Sequence, residues 1–162
     1  MHVRLAQPAD AEAIRSIYND AVASGTSTFD LVPRTPAEQH VWMTDHAGGH
    51  PAVVAVDEDG VVRGFGSLSP YRERAAYRTT VENSVYVDAS YRGQGMGRAI
   101  LGELVVLATG HGFHTVIARV GESNEASIGL HRACGFEPVG VERQIGRKFG
   151  RWLDVTVLQR ML

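Results

Sequence analysis

Cysteine is almost absent from this chain, and that absence narrows its chemistry. The 162 residues include one cysteine, Cys134, which excludes an internal disulfide framework and a cysteine-rich metal site. The seven histidines are scattered, and neither His111 nor His114 has a carboxylate or cysteine nearby in the sequence. We therefore expect a protein of a reducing compartment that binds no metal.

An excess of one charge and long apolar runs are lacking as well. Sixteen Lys and Arg residues oppose eighteen Asp and Glu residues, a formal net charge of −2, which leaves no basic field for nucleic acid. No apolar run approaches the roughly 18 residues of a membrane span. Residues 1–5 have the pattern of a strand, and not that of a signal peptide. We expect a cytoplasmic protein with one domain, residues 1–162, and with neither nucleic acid nor a membrane as its partner.

Strand-like and helix-like segments alternate along the chain. After Asp10, which is placed to cap a helix, apolar residues recur with the helical period, as at Ile14, Ile17 and Tyr18. Alternation of this kind, with hairpins in front, is typical of an α/β or α+β sheet with helices on both faces. The predicted strands are 2–6, 51–56, 61–69, 80–87, 116–120, 137–145 and 153–160, and the further predicted helices are 35–46, 97–110 and 126–133.

Glycine, in contrast, is abundant: 18 of the residues are Gly, about 11% against about 7% in an average protein. Three of them lie between a predicted strand and a predicted helix, in the segment Arg92, Gly93, Gln94, Gly95, Met96, Gly97 and Arg98. Such a turn bends sharply and exposes backbone N–H groups at the positive end of a helix. It is a site for a phosphate or pyrophosphate, to which an arginine could add charge.

Other nucleotide motifs fit this segment less well. A dinucleotide fingerprint has the spacing G-x-G-x-x-G and an acidic residue about 20 positions later. Here the third glycine comes one place early, and position 117 is Ile. A triphosphate-binding P-loop needs Gly-Lys-Ser/Thr, which is absent. The remaining alternative is a glycine-rich start of a helix that binds no ligand.

The glycine segment resembles the R/Q-x-x-G-x-G/A coenzyme A signature of the GCN5-related N-acetyltransferases (GNATs). Downstream, residues 124–131 followed by Gly135 and Phe136 are similar to the N-x-x-S-x-x-L-Y-x-x-x-G-F element of that superfamily. His131 stands at the tyrosine position of the element. The segments 17–22, 80–87 and 149–154 resemble, more narrowly, phosphinothricin acetyltransferases and their methionine sulfoximine or sulfone relatives.

The resemblance covers nearly the whole chain and implies a fold, a cosubstrate and an assembly. The implied fold is a central mixed, mostly antiparallel sheet of six or seven strands with helices on both faces. Two of its strands are splayed apart where acetyl-CoA enters. The implied cosubstrate is acetyl-CoA, with no metal, and the implied assembly is a homodimer.

Glu82 and His131 are the candidate catalytic residues. Acetylation of an amine benefits from a base for the amine and an acid for the departing thiolate. In the strand 80–87 the side chain of Glu82 points to the face opposite the apolar set, and the resemblance places a general base at this position. A solvated strand glutamate is the alternative. His131 could protonate the thiolate, contact a ligand, or only pack in the helix.

The same resemblance suggests residues for the cofactor and for the substrate. The pantetheine arm would lie along Val85, Tyr86 and Val87 through backbone groups, and one of those N–H groups would stabilise the oxyanion. Asn124 could bind the pantetheine arm or merely cap a helix, and the segment 92–98 would bind the pyrophosphate. The candidate substrate-binding residues are Phe29, Arg72, Arg74 and Tyr77.

Because an arginine fork suits a carboxylate or phosphinate, we expect a small amine that carries such a group. The function predicted from the sequence is acetyl transfer from acetyl-CoA to the α-amine of a small amino acid or analogue, by direct attack in a ternary complex. An acetyltransferase for protein N-termini or lysines, and a non-catalytic acetyl-CoA-binding module, are the alternatives.

Overall fold

Seven strands form one sheet in a computed structural model that describes all 162 residues. The strands are β1 (His2–Leu5), β2 (Ala52–Val56), β3 (Val62–Pro70), β4 (Thr80–Val87), β5 (Thr115–Gly121), β6 (Glu137–Lys148) and β7 (Arg151–Met161). The helices are α1 (Ala11–Ser24), α2 (Pro36–Asp45), α3 (Met96–Gly110) and α4 (Glu125–Ala133), with short 3₁₀ turns at Pro8–Asp10, Ala75–Tyr77 and Ala89–Tyr91. None of the helices combines the length and the apolar character needed to cross a bilayer.

The sheet has the strand order β1-β2-β3-β4-β5-β7-β6, and every neighbouring pair is antiparallel except β4 and β5. That parallel pair is short, because only Thr80–Glu82 of β4 pair with Thr115–Ile117 of β5. Beyond this point β4 continues to Val87 and β5 to Gly121 without pairing to each other. The sheet therefore opens in its middle, and the expected mixed, mostly antiparallel α/β architecture is confirmed.

Each face of the sheet has its own apolar core. On one face, Val81, Val85 and Val87 pack with α3 in the larger cluster. On the other face, Tyr86 packs with Tyr18 of α1 and with Phe65. The alternation of β4 thus separates its side chains as the sequence pattern predicts, and it aims Glu82 and Tyr86 away from α3.

The helix ends agree with the sequence pattern except at Asp10. The Thr35 and Glu38 pair forms a capping box at the start of α2, and Gly135, at φ +81°, ends α4. Asp10 occupies the N-cap position of α1 as predicted, but its carboxylate makes no hydrogen bond to that helix. It binds the Arg4 guanidinium at 2.7 and 2.9 Å and accepts from the Gln7 N–H instead. The carboxylate therefore forms an ion pair with Arg4 of β1 and does not bond to the start of α1.

Candidate active site

A cavity of about 260 Å³ lies where β4 and β5 separate. Its lining combines the open parts of the two strands, the loop between α1 and α2, and the first turns of α4. Phe29, Glu82, Val85, Arg119, Asn124 and His131 are among the residues that line it. The fold thus brings together residues that are up to about a hundred positions apart in the sequence.

Glu82 is the last residue of β4 that pairs with β5, so its side chain lies at the edge of the opening. Its removal from water raises its pKa, since burial penalises the charged form. The positive charge of Arg119 opposes that rise, and the negative charge of Glu142 adds to it. A carboxyl group with a raised pKa is a stronger base than an exposed glutamate, which suits removal of a proton from an amine.

Arg119 and Glu142 form a two-point ion pair beside Glu82. The two guanidinium nitrogens of Arg119, on β5, lie 3.0 and 2.5 Å from the two carboxylate oxygens of Glu142, on β6. The contact lowers the pKa of Glu142 and raises that of Arg119. Neither residue was among the site residues predicted from the sequence. A charged Arg119 inside the otherwise apolar segment 116–120 was the available signal.

His131 is buried, with 4% of its surface exposed, and both of its ring nitrogens are engaged. Nδ1 donates to the Ser127 carbonyl at 2.8 Å, and Nε2 lies 3.0 Å from the Asn83 side-chain oxygen. Burial lowers the pKa of His131 and outweighs the contact with Ser127, which raises it. Both facing oxygens are acceptors, and a neutral imidazole carries a single N–H, so the ring donates to Ser127 and only lies beside the Asn83 oxygen. A buried ring in this setting fits a supporting role better than that of a free acid. Its assignment to catalysis stays a prediction.

Asn83 connects three elements at the point of opening. Besides its contact with His131 on α4, its side-chain amide donates to the Ile117 carbonyl of β5 at 3.3 Å. Asn83 lies on the apolar face of β4, one residue from Glu82 in the alternation, and is buried at 6% exposure. A polar residue within an apolar stripe was the signal that such a bridge exists.

The free edge of β4 carries the backbone groups of Val85. The Asp88 N–H donates to the Arg63 carbonyl, which marks this pair as hydrogen-bonded. Because hydrogen-bonded pairs alternate along antiparallel strands, the backbone groups of Tyr86 bond to Phe65 of β3. Val85 and Val87 therefore present their N–H and C=O groups toward the opening. The Val87 carbonyl accepts from Arg92 at 3.3 Å. Tyr86 does not share this edge. Its partly buried side chain packs against α1, and removal from water raises its pKa.

The glycine turn has the conformation that its sequence predicts. Gly93 and Gly95 have φ of +76° and +83°, a region that favours glycine, and Gly95 precedes the first residue of α3. The first turn of a helix leaves its N–H groups without internal partners, here those of Met96, Gly97 and Arg98. The Met96 side chain is buried in the core, so only its backbone faces outward.

Asn124 caps α4, which is one of the two roles predicted for it. Its side-chain oxygen accepts from the Ser127 N–H at 3.1 Å. It also lines the cavity. Capping occupies the oxygen, and the amide NH₂ group of the same side chain is left to donate. The two roles proposed from the sequence are therefore compatible in one residue.

Comparison with known proteins decides the family. The family model described as acetyltransferase (GNAT) family matches residues 13–136. This chain belongs to the GNAT acetyltransferase family. The matched region contains the glycine turn, Glu82 and all of α4.

Three similar GNAT proteins extend that match over the whole chain. An L-methionine sulfoximine/L-methionine sulfone acetyltransferase of Pseudomonas aeruginosa is 42% identical over 97% of this chain and 92% of its own length. A phosphinothricin acetyltransferase of Sinorhizobium meliloti, solved with acetyl-CoA, has a TM-score of 0.95 and 43% identity, covering 99% and 87% of the two chains. A ribosomal-protein-alanine N-acetyltransferase from Brucella melitensis has a TM-score of 0.97 and 39% identity, with full coverage of both chains.

The residues of this GNAT chain fit acetyl-CoA. The free N–H groups at the start of α3 suit a pyrophosphate, and the open edge of β4 at Val85 suits the amides of a pantetheine arm. Between them the cavity reaches Glu82. The residues contain no group of three or more His, Cys, Asp or Glu placed to hold a metal ion.

The arginines proposed for the substrate lie outside this cavity. Phe29 lines it, but Arg72, Arg74 and Tyr77 do not. The Arg72 guanidinium lies over the rings of Tyr71 and Tyr77, at 4.9 and 5.5 Å from their centres, and its charge contributes to lowering the pKa of Glu142. The guanidinium that lines the cavity is that of Arg119. The assignment of the loop arginines to the substrate stays a prediction.

Proposed function

We propose that this protein transfers the acetyl group of acetyl-CoA to the α-amine of a small amino acid or analogue that bears a carboxylate, the phosphinothricin and methionine sulfoximine or sulfone class. The observation that carries the proposal is the cavity at the strand opening, which places the Glu82 carboxyl beside the open backbone edge of β4. The names of the relatives in Pseudomonas aeruginosa and Sinorhizobium meliloti supply the substrate class.

In this mechanism Glu82 accepts the proton that the attacking amine must lose. Burial raises the pKa of its carboxyl group and makes it a stronger base, and the positive charge of Arg119 opposes that rise and favours the carboxylate form. The Val85 N–H, fixed on the open edge of β4, donates to the oxyanion that forms at the thioester carbonyl. No enzyme nucleophile is needed, because the amine attacks the thioester carbonyl directly. Collapse of the oxyanion breaks the C–S bond and releases coenzyme A as a thiolate, which takes up a proton from water. His131 and Asn83 hold α4, β4 and β5 in place around the reacting groups.

Recognition of the acceptor would use charged groups of the 71–78 loop, outside the cavity. Arg72 and Arg74 would attract the carboxylate from their loop, and Phe29 and Tyr77 would contact the rest of the amine. A protein N-terminus or lysine is the second candidate acceptor, favoured by the similarity to the Brucella melitensis protein. The size of the cavity, about 260 Å³, is at the low end for ligand sites and favours a small acceptor.

An acceptor panel tests the proposal. We expect thiol release from acetyl-CoA with phosphinothricin, methionine sulfoximine and methionine sulfone, and at least tenfold lower kcat/KM with an N-terminal alanine peptide, because a peptide must extend beyond the cavity. The assay follows free coenzyme A and checks the product by mass spectrometry. Faster acetylation of the peptide would favour the second candidate, and acetylation of no carboxylate-bearing amine would overturn the substrate class.

We also propose a cytoplasmic homodimer, since acetyl-CoA is supplied in the cytoplasm and the last two strands carry unpaired apolar surface. β6 is an edge strand of 12 residues, and Val139, Val141, Ile145 and Trp152 are each more than half exposed. A long sheet edge is a template for pairing with another chain, and an exposed apolar patch beside it is typical of an interaction site.

Sedimentation tests the assembly. A mass of twice 17.6 kDa is expected for the wild-type chain, and Trp152→Glu should shift it toward the monomer because a charge would be buried at the contact. Val106→Glu, at a residue that is 63% exposed on α3, is the matched control and should leave the dimer intact. A wild-type monomer at micromolar concentration would contradict the proposal.

A further inference from the structure

Phe29 lies in a slot formed by two glycines of different strands. If Gly121 of β5 and Gly146 of β6 carried a Cβ atom, that atom would lie 3.0 and 2.3 Å from the Phe29 ring. Neither glycine has a positive φ. At Gly146 the ring, and not the backbone conformation, is therefore what excludes a side chain. At Gly121 the Thr26 carbonyl oxygen, 2.6 Å from the Cβ position, is closer than the ring and excludes one as well.

A buried lysine holds the loop between α1 and α2, which carries Phe29. Lys148, at the end of β6, is only 4% exposed, and its ammonium group donates to the Thr28 carbonyl at 3.0 Å. Burial lowers the pKa of Lys148, and the charge of Asp30 opposes this change. An ammonium group is costly to bury unless it keeps its hydrogen bonds. The bond from Lys148 to the Thr28 carbonyl therefore holds Thr28 and the adjacent Phe29 against the end of β6.

Thr28 is also held from the other side. Its hydroxyl lies 2.9 Å from the Tyr18 hydroxyl of α1 and accepts from the Asp30 N–H at 3.1 Å. Residues 28–30 are thereby fixed between α1 and β6. Phe29 and Gly121 both line the cavity that contains Glu82. The position of this loop therefore determines how far the Phe29 ring projects into the space where the acceptor amine would bind.

We propose that Gly146 and Lys148 are positioning residues that set the place of Phe29 and, through it, the size of the acceptor amine that the enzyme takes. The inference rests on the proposed function for its kinetic readout. Neither residue contacts the reacting atoms; both act through Phe29. A methyl group at position 146 displaces the ring from its slot, and loss of the Lys148 ammonium group releases the loop that carries it.

The test is Gly146→Ala, assayed with methionine sulfone. We expect the KM of the amine to rise about tenfold while kcat and the KM of acetyl-CoA stay within about twofold, because a misplacement of about 1 Å at a substrate contact can cost up to about 10²-fold. Combining it with Phe29→Ala should abolish the additional effect of the methyl group, because the ring it displaces is gone. Phe29→Ala alone should raise kcat/KM for a bulkier amino acid relative to methionine sulfone.

Gly140→Ala is the matched control, because it lies on the same strand and its Cβ would have no atom within 4 Å. It should behave as the wild type. Lys148→Met should repeat the selective rise in the amine KM, whereas Arg147→Met, on the adjacent residue, should not. The proposal is overturned if Gly146→Ala matches Gly140→Ala, or if both KM values rise together.

A stability measurement separates the slot from the chemistry. Gly146→Ala should lower the Tm by a few degrees, as overpacking does, and Phe29→Ala in the same chain should remove that additional loss. This readout needs no substrate. If the Tm values couple in this way but no amino acid is acetylated, the slot exists and the proposed function has failed. If the Tm values do not couple, the slot proposal has failed whatever the substrate.

Discussion

Replacing Glu82 by Gln is expected to lower kcat by about 10²-fold or more and to leave the affinity for acetyl-CoA unchanged. The amide has nearly the same shape as the carboxyl group but cannot take the proton of the amine. The backbone groups of β4 and the glycine turn, which would bind the cosubstrate, are not altered. Turnover is followed by free thiol at saturating amine, and acetyl-CoA binding by calorimetry. Wild-type turnover in this variant would remove Glu82 from the role.

The same carboxyl group also predicts a pH dependence. Its raised pKa means that the active carboxylate is present above that pKa and is lost as the pH falls through it, so kcat/KM should decline on the acidic side. Glu142→Gln is the informative partner variant. It removes the negative charge that raises the pKa of Glu82 and releases the positive charge of Arg119, so the acidic limb should move to lower pH. A shift in the opposite direction would contradict the assigned electrostatics.

Local sequence pattern was enough to predict most of the fold. The alternation in β4 separates Val81 from Glu82 because a strand sends neighbouring side chains to opposite faces, and the structure shows that separation. The glycine turn was recognisable because Gly95 needs a backbone conformation that few other residues adopt. Both are properties of residues close together in the sequence.

The contacts that complete the cavity could not be predicted in this way. His131 and Asn83 are 48 positions apart, and Lys148 lies 120 positions from Thr28. Which of them meet depends on the order of strands in the sheet, and above all on the early separation of β4 from β5. Asp10 shows the same limit on a smaller scale. The local pattern predicts that its carboxylate caps α1, but in the structure that carboxylate binds Arg4 of β1.

The glycine turn offers the second large effect. Gly95→Val should raise the KM of acetyl-CoA by about 10- to 100-fold, because a β-branched residue is strongly disfavoured at φ +83°. The turn would then relax and withdraw backbone donors at the start of α3 from the pyrophosphate. Loss of one charge-assisted hydrogen bond, about 1.5–3 kcal/mol, corresponds to this range.

A second acetyl donor shows which part of acetyl-CoA the raised KM of Gly95→Val concerns. S-acetyl-pantetheine carries the thioester and the pantetheine arm but no pyrophosphate, so Gly95→Val should change its kcat/KM by less than about threefold. Gly48→Val is the matched control, because Gly48 lies in a turn, has an ordinary φ and has no atom within 4 Å of its Cβ position. An equal loss with both donors would mean that the substitution disturbs the whole fold. A loss confined to acetyl-CoA would assign the turn to the 3′-phospho-ADP portion of the donor, which S-acetyl-pantetheine lacks and in which the pyrophosphate is the group that N–H donors at a helix start suit.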